Sequence, residues 1–236
     1  GAKAQIEAQI ASLGQNVILI LSGNMSRGGV RMGFGSSPTL TREDLAAIRR
    51  EVTGIANSSP EMRNGMQVTA GNQNANTTVM GVDVEYLDVR AWPLESGAMF
   101  GEQDVRNATK VALIGNTAAR SLFDESDPVG QTVRIKNVPF TIVGRLASKG
   151  MSMMGSDQDD VIVVPYTTAM IRLSGGTAFR AIHVKAVNAA AAGEVQSQVV
   201  SLLRQRHKIR EGGDDDFFAR PPEEIAQTAT APTRVR

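Results

Sequence analysis

The chain has 236 residues, 42% of them hydrophobic and 21% charged, so it can bury a sizeable core in one large domain or two small ones, and two are expected. A formal charge of +1, with no basic stripe interleaved with aromatics, argues against a nucleic-acid partner, and 4% aromatic residues calls for an aliphatic core. The absence of cysteine removes disulfides, thiolate nucleophiles and cysteine metal sites, and suits an oxidising compartment.

Ile6, Ile10 and Leu13 fall at helical spacing and Gly14 is placed as a C-terminal cap, so an amphipathic helix is predicted over 3–13, followed by an apolar strand over 16–22. Residues 23–38 hold five glycines, among them Gly28, Gly29, Gly33 and Gly35, which is the composition of a long flexible loop. Thr41 then reads as a helix N-cap with Asp44 three residues on, a variant capping box, and Leu45, Ile48 and Val52 line one face of a helix ending at Gly54. Residues 65–83 alternate loosely as a strand, broken by the Asn-rich stretch 72–76. A matching unit lies near the other end. It comprises a strand over 179–187, Asn188 as a cap, a helix over 189–207 with Val195, Val199 and Leu202 on one face, and a short strand over 216–219. The two units are expected to form one α/β layer.

The middle, 84–176, reads as a β-rich insertion: a strand over 111–114, Asn116 capping a short helix through Phe123, a turn at Asp127 to Gly130, a hairpin around Lys136 and Asn137, and an apolar strand over 161–164. No apolar run approaches the ~18 residues that span a bilayer. Gly1 and Arg236 are expected to be cut points within a longer protein.

The chemistry-bearing motifs are few. There is no GxxxxGK[ST] loop for nucleotide, no GxSxG elbow and no HExxH pair, so no catalytic residue is assigned. Gly33-Phe34-Gly35 is read as linker chemistry. His183 is expected on a strand face and His207 at a helix C-terminus. The acidic runs at 157–160 and 214–216 lack the alternating oxygen ligands of a calcium loop, so they are read as solvated loops and no metal site is assigned. Gly150 to Gly155 carries Met151, Met153 and Met154 between glycines; flexible, polarisable thioethers there suit an adaptable apolar contact surface for a partner or substrate, as against a loop folded back on its own domain.

The string VALIGNTAARSLFDESDPVGQTVRIKNVPFTIVGRLASKG at 111–150, followed by DDVIVVPY at 159–166, resembles the periplasmic core domain of MacB-type ABC transporters. The start, GAKAQIEAQIASLGQNVILILSG, resembles the segment leaving the first transmembrane helix of such transporters, and PPEEIAQTATAPTRV the one leading into the second. The resemblance implies an α+β fold in which a porter-like subdomain, 1–83 with 177–236, carries an inserted sabre-like subdomain, 84–176. It also implies a periplasmic position in an inner-membrane protein, homodimerisation there, a periplasmic adaptor (membrane-fusion) protein, and an outer-membrane channel contacted indirectly. ATP and Mg would belong to a nucleotide-binding domain elsewhere, leaving no cofactor in this segment. Lipoprotein-releasing relatives carry an extended hook in the hairpin that here is only Lys136 to Pro139, which favours an efflux or secretion pump. The alternatives are a stand-alone periplasmic ligand-binding module, and a lipoprotein-releasing or cell-division transporter.

Overall fold

The computed structural model describes residues 3, 15–23, 39–152 and 154–225. The helix expected over 3–13 therefore lies, apart from Lys3, outside the described residues. So do Gly28, Gly29, Gly33 and Gly35 of the expected loop, and Met153.

The fold is a mixed α/β body organised on one ten-stranded sheet. In chain order its strands are β1 (Val17–Ser22), β3 (Ile55–Ala70), β4 (Gln73–Val82), β5 (Leu94–Gly97), β6 (Val111–Ile114), β7 (Thr132–Ile135), β8 (Val138–Leu146), β9 (Val161–Pro165), β11 (Ala181–Ala186) and β12 (Phe217–Arg220). Two-residue strands β2 (Leu40–Thr41) and β10 (Ala178–Phe179) pair separately. The spatial order is β12-β1-β11-β3-β4-β9-β6-β8-β5, with β7 bridging β3 and β8. Pairing is antiparallel except between β4 and β9 and between β6 and β8.

The helices are α1 (Arg42–Glu51), α2 (Tyr86–Val89), α3 (Glu102–Asn107), α4 (Asn116–Phe123), α5 (Tyr166–Ile171) and α6 (Ala189–Arg206). The capping box forms as expected: the Thr41 hydroxyl accepts from the Asp44 N–H and the Asp44 carboxylate from the Thr41 N–H, both at 3.1 Å. Asn188 caps α6 through the Ala191 N–H. The hairpin between β7 and β8 turns on Lys136 and Asn137, whose φ values of 49° and 68° are those of a tight primed turn.

Three local expectations are corrected. The N-cap of α4 is Gly115, and Asn116 sits inside the first turn, where its amide oxygen accepts from Arg145. A side chain could not stand at 115: a Cβ there would meet the Asp159 carbonyl at 2.3 Å. On α6 the buried stripe is Val195, Val199 and Leu203, because spacing of 4 from Val199 places Leu203, not Leu202, over the sheet. And β3 begins at Ile55, ten residues before the expected strand, running unbroken through Pro60. Pro60 is tolerated because β4 pairs only from Glu61 onward, so no partner strand stands opposite the missing donor.

Ile18, Ile20, Ile182, Val184 and Ala219 share one sheet face by register, and α1 and α6 pack against that side of β1, β3, β11 and β12. The alternate positions, including Glu61 and His183, therefore point to the opposite face, where α2 packs on β3 and β11.

Candidate functional site

On the β8–β9 connection the described residues on either side of Met153 form a small hairpin base. Gly150 and Gly155 take positive φ (77° and 82°), Met151 bridges to Asp157, and the tip closes through Gly155 N–H to the Ser152 carbonyl and Ser152 N–H to the Ser156 carbonyl. Its base is fixed by acidic side chains. The buried Asp159 carboxylate accepts from the N–H groups of Lys149 (2.8 Å) and Gly150 (2.9 Å). Asp157 accepts from the Thr117 hydroxyl at 2.7 Å, and Asp160 from that of Thr77 at 2.5 Å. The aspartates expected to form a solvated loop are thus structural anchors, and among the described residues no group of His, Asp and Glu is arranged to hold a metal.

On this base Met151 is 54% and Met154 69% exposed. The other large apolar side chains exposed among the described residues are Ile171, at the end of α5, and Val187, just after β11, so the loop is where exposed apolar surface gathers. Beside the base, a cavity of about 90 Å³ is lined by Arg63, Arg90, Trp92, Asp157 and Asp160. The Lys149 ammonium lies 5.4 Å over the Trp92 ring and donates to the Arg90 carbonyl; burial, with the Arg90 charge, lowers it to about 7.

Two further polar clusters went unread in the sequence. On the α2 side of the sheet, Glu61 is 2% exposed and accepts from Arg180 at 2.8 Å, with His183 Nε2 at 3.2 Å, the Tyr86 hydroxyl at 3.4 Å and Arg63 at 3.8 Å. Burial pushes its pKa up, but the Arg63 and Arg180 charges and the His183 hydrogen bond outweigh it and hold Glu61 well below the carboxylate range. His183 goes the other way: burial, opposed by the Glu61 hydrogen bond and charge, lowers its pKa. Burial likewise raises Tyr86 to about 12.

At the far end of α6, His207 lies between carboxylates, Nδ1 at 2.7 Å from Asp216 and Nε2 at 2.8 Å from Asp44, while Arg206 bonds the other Asp44 oxygen at 2.9 Å. The Phe217 ring meets the imidazole edge-on. The Asp216 carbonyl also receives the Gly23 N–H and the Thr39 hydroxyl, so this cluster ties together the chain on both sides of residues 24–38. Burial works against the charge on His207, yet its bonds to Asp216 and Asp44 raise its pKa; Asp44, opposed by burial, is held low by Arg206 and His207.

The raised folded value means that the ring's contribution is complete below the ordinary histidine value of 6.5 and fades as pH rises through the raised one. Asp44 contributes above its ordinary 3.8 and loses its contribution in acid. Denaturant unfolding is therefore expected to show wild type more stable than His207→Gln by roughly 1–2 kcal/mol near pH 5.5, with the gap shrinking by about pH 9. A gap that widens with pH would contradict the arrangement.

Among the described residues no helix is long and apolar enough to cross a membrane. A sequence profile described as the MacB-like periplasmic core domain matches residues 1–202. The macrolide export ATP-binding/permease protein MacB of Bdellovibrio bacteriovorus is 37% identical over 218 residues, covering 92% of this chain and 33% of that protein. The protein of the same name from Chlorobium luteolum is 35% identical over 234 residues, covering 99% of this chain and 35% of that protein. The chain thus spans about a third of the length of the curated relatives it matches. The crystal structure of the periplasmic region of MacB from Actinobacillus actinomycetemcomitans superposes with a TM-score of 0.73 at 26% identity, covering 97% of this chain and 99% of that one. The extracellular domain of the noncanonic ABC-type transporter YknZ from Gram-positive bacteria shares the fold, with a TM-score of 0.68 at 18% identity, covering 86% of this chain and 99% of that one.

Proposed function

The chain belongs to the family of MacB-like periplasmic core domains, and from that premise we propose that it is the non-catalytic extracytoplasmic module of a transporter permease that couples ATP-driven motion to export. ATP and Mg are handled by a nucleotide-binding domain elsewhere in the full protein, which works as a homodimer in the inner membrane. A periplasmic adaptor docks on this module and links it to an outer-membrane channel. The cargo is an antibiotic, a peptide or a similar molecule, in keeping with the macrolide-export name of the relatives.

The single observation that carries adaptor docking is the paired exposure of Met151 and Met154 on a hairpin pinned at its base by Asp157 and Asp159. A fixed base with adaptable apolar tips gives a surface that seats against a partner with little loss of backbone freedom. The division into a porter-like part (1–83 with 177–236) and a sabre-like part (84–176) fits this role, with the methionine hairpin on the sabre-like part.

The test is photo-crosslinking in cells that carry the full-length transporter. A benzophenone side chain at position 154 is expected to capture the membrane-fusion adaptor, and one at position 187 to capture none. Equal capture from both positions, or capture from 187 alone, would remove the docking role from the hairpin.

A further inference from the structure

Strand β3 is paired with β4 along its whole upper length, from Glu61 to Ala70, but on its other edge only two separate strands are hydrogen-bonded to it, with β10 lying near it but not paired to it. β11 covers residues 55–61 and β7 covers Val68 and Thr69. The Glu61 carbonyl accepts from Arg180 N–H and the Gln67 carbonyl from Lys136 N–H, which marks the two ends of an interruption. In a strand, main-chain groups alternate between edges, so the N–H and C=O of Arg63 and Gly65 point into that interruption. Among the described residues neither Arg63 nor Gly65 has a main-chain partner on that edge.

Gly65 stands in the middle of this sixteen-residue strand, where a glycine weakens the strand and offers no side chain to pack. A Cβ there would meet nothing within 4 Å, so packing does not explain the glycine. What its absence of a side chain leaves is room for another backbone to approach. A groove of about 610 Å³ opens at the Gly65 end of that stretch, lined by Asn64, Gly65, Met66 and Gln67, by Lys136 at the hairpin tip, and by Gly175 and Gly176. Lys136 is the one charged residue in its wall among the described residues.

The geometry points to a slot for strand addition: an extended peptide segment of about four residues, carrying a carboxylate, pairs antiparallel with β3 between β11 and β7. The satisfied carbonyls at Glu61 and Gln67 are six residues apart, about 20 Å at ~3.3 Å per residue, and their donors Arg180 and Lys136 take up the two ends, which leaves room for about four residues between them. Both flanking strands run antiparallel to β3, so an inserted segment in that sense continues one line of pairing. Main-chain bonds to Arg63 and Gly65 supply the affinity, and the Lys136 ammonium, now donating to the Leu173 carbonyl, supplies the preference for a carboxylate. The same stretch would otherwise be a short exposed edge blunted by Arg63 and Lys136 and binding nothing.

Amide hydrogen exchange by NMR on this chain separates the two accounts. Without peptide, Arg63 and Gly65 amides are expected to exchange fast while Asn64 and Met66, paired to β4, are protected. Millimolar acetyl-Thr-Val-Glu-Val-Thr-amide is expected to slow Arg63 and Gly65 by about tenfold. The same peptide N-methylated on its backbone is expected to leave them unchanged, and Lys136→Glu to weaken the effect while the β4-paired amides stay protected. Slow exchange at Arg63 and Gly65 before any peptide is added, no response to the peptide, or equal protection by the N-methylated form would each overturn the proposal.

Discussion

Glu61→Ala is expected to lower the unfolding free energy by about 3 kcal/mol or more, the range seen when one partner of a buried ion pair is removed. The carboxylate is 3% exposed at its side chain and stands against Arg180, Arg63, His183 and the Tyr86 hydroxyl. Without it, Arg180 and Arg63, each 38% exposed, can turn partly to water. His183 and Tyr86 cannot, being enclosed between the sheet and α2, which carries Tyr86. That combination places the cost nearer the lower end of the usual 3–5 kcal/mol. At this chain length it corresponds to a fall in melting temperature of roughly 6–12 °C. Glu61→Gln keeps the shape and an acceptor and loses only the charge, so it is expected to fall between wild type and alanine. Urea unfolding checks both; a loss under about 1 kcal/mol for Glu61→Ala would mean that the network is dispensable.

The second large effect falls on docking and leaves stability alone. Met151 and Met154 are more than half exposed, so replacing both with serine removes little buried area, and the unfolding free energy is expected to move by no more than about 0.5 kcal/mol. The bonds that shape the hairpin come from Asp157, Asp159, Ser152 and Ser156 and from main-chain groups, none of which the change touches. Contact apolar area, by contrast, is lost twice. A central pair of anchors in an interface is worth more than ~1.4 kcal/mol, so adaptor affinity is expected to fall at least about tenfold.

Features set by neighbours in sequence were legible in the sequence. The Thr41 and Asp44 capping box, the Asn188 cap and the Lys136-Asn137 turn each depend on residues no more than three apart. The family resemblance, carried by residues 111–166, anticipated the mixed α/β architecture. Features set by distant partners were hidden. His207 reads as a helix end because nothing near it announces Asp44, which lies 163 positions away. Nothing beside Glu61 in the sequence announces its burial, which follows from Arg180 and His183, over a hundred residues on. The start of β3 was missed for a related reason, since Ser58, Ser59 and Pro60 signal a turn until it is known where β4 ends. In the methionine loop, residue types suggested a contact surface, but only the Asp159 carboxylate gripping the Lys149 and Gly150 amides shows how its base is held.

The proposed docking of an adaptor through the methionine hairpin is decided by titrating the purified adaptor against wild-type domain and the Met151→Ser, Met154→Ser double variant under identical conditions. Superimposable unfolding curves and an adaptor dissociation constant raised about tenfold or more in the variant are expected. Unchanged adaptor affinity in a variant that unfolds like wild type would contradict it.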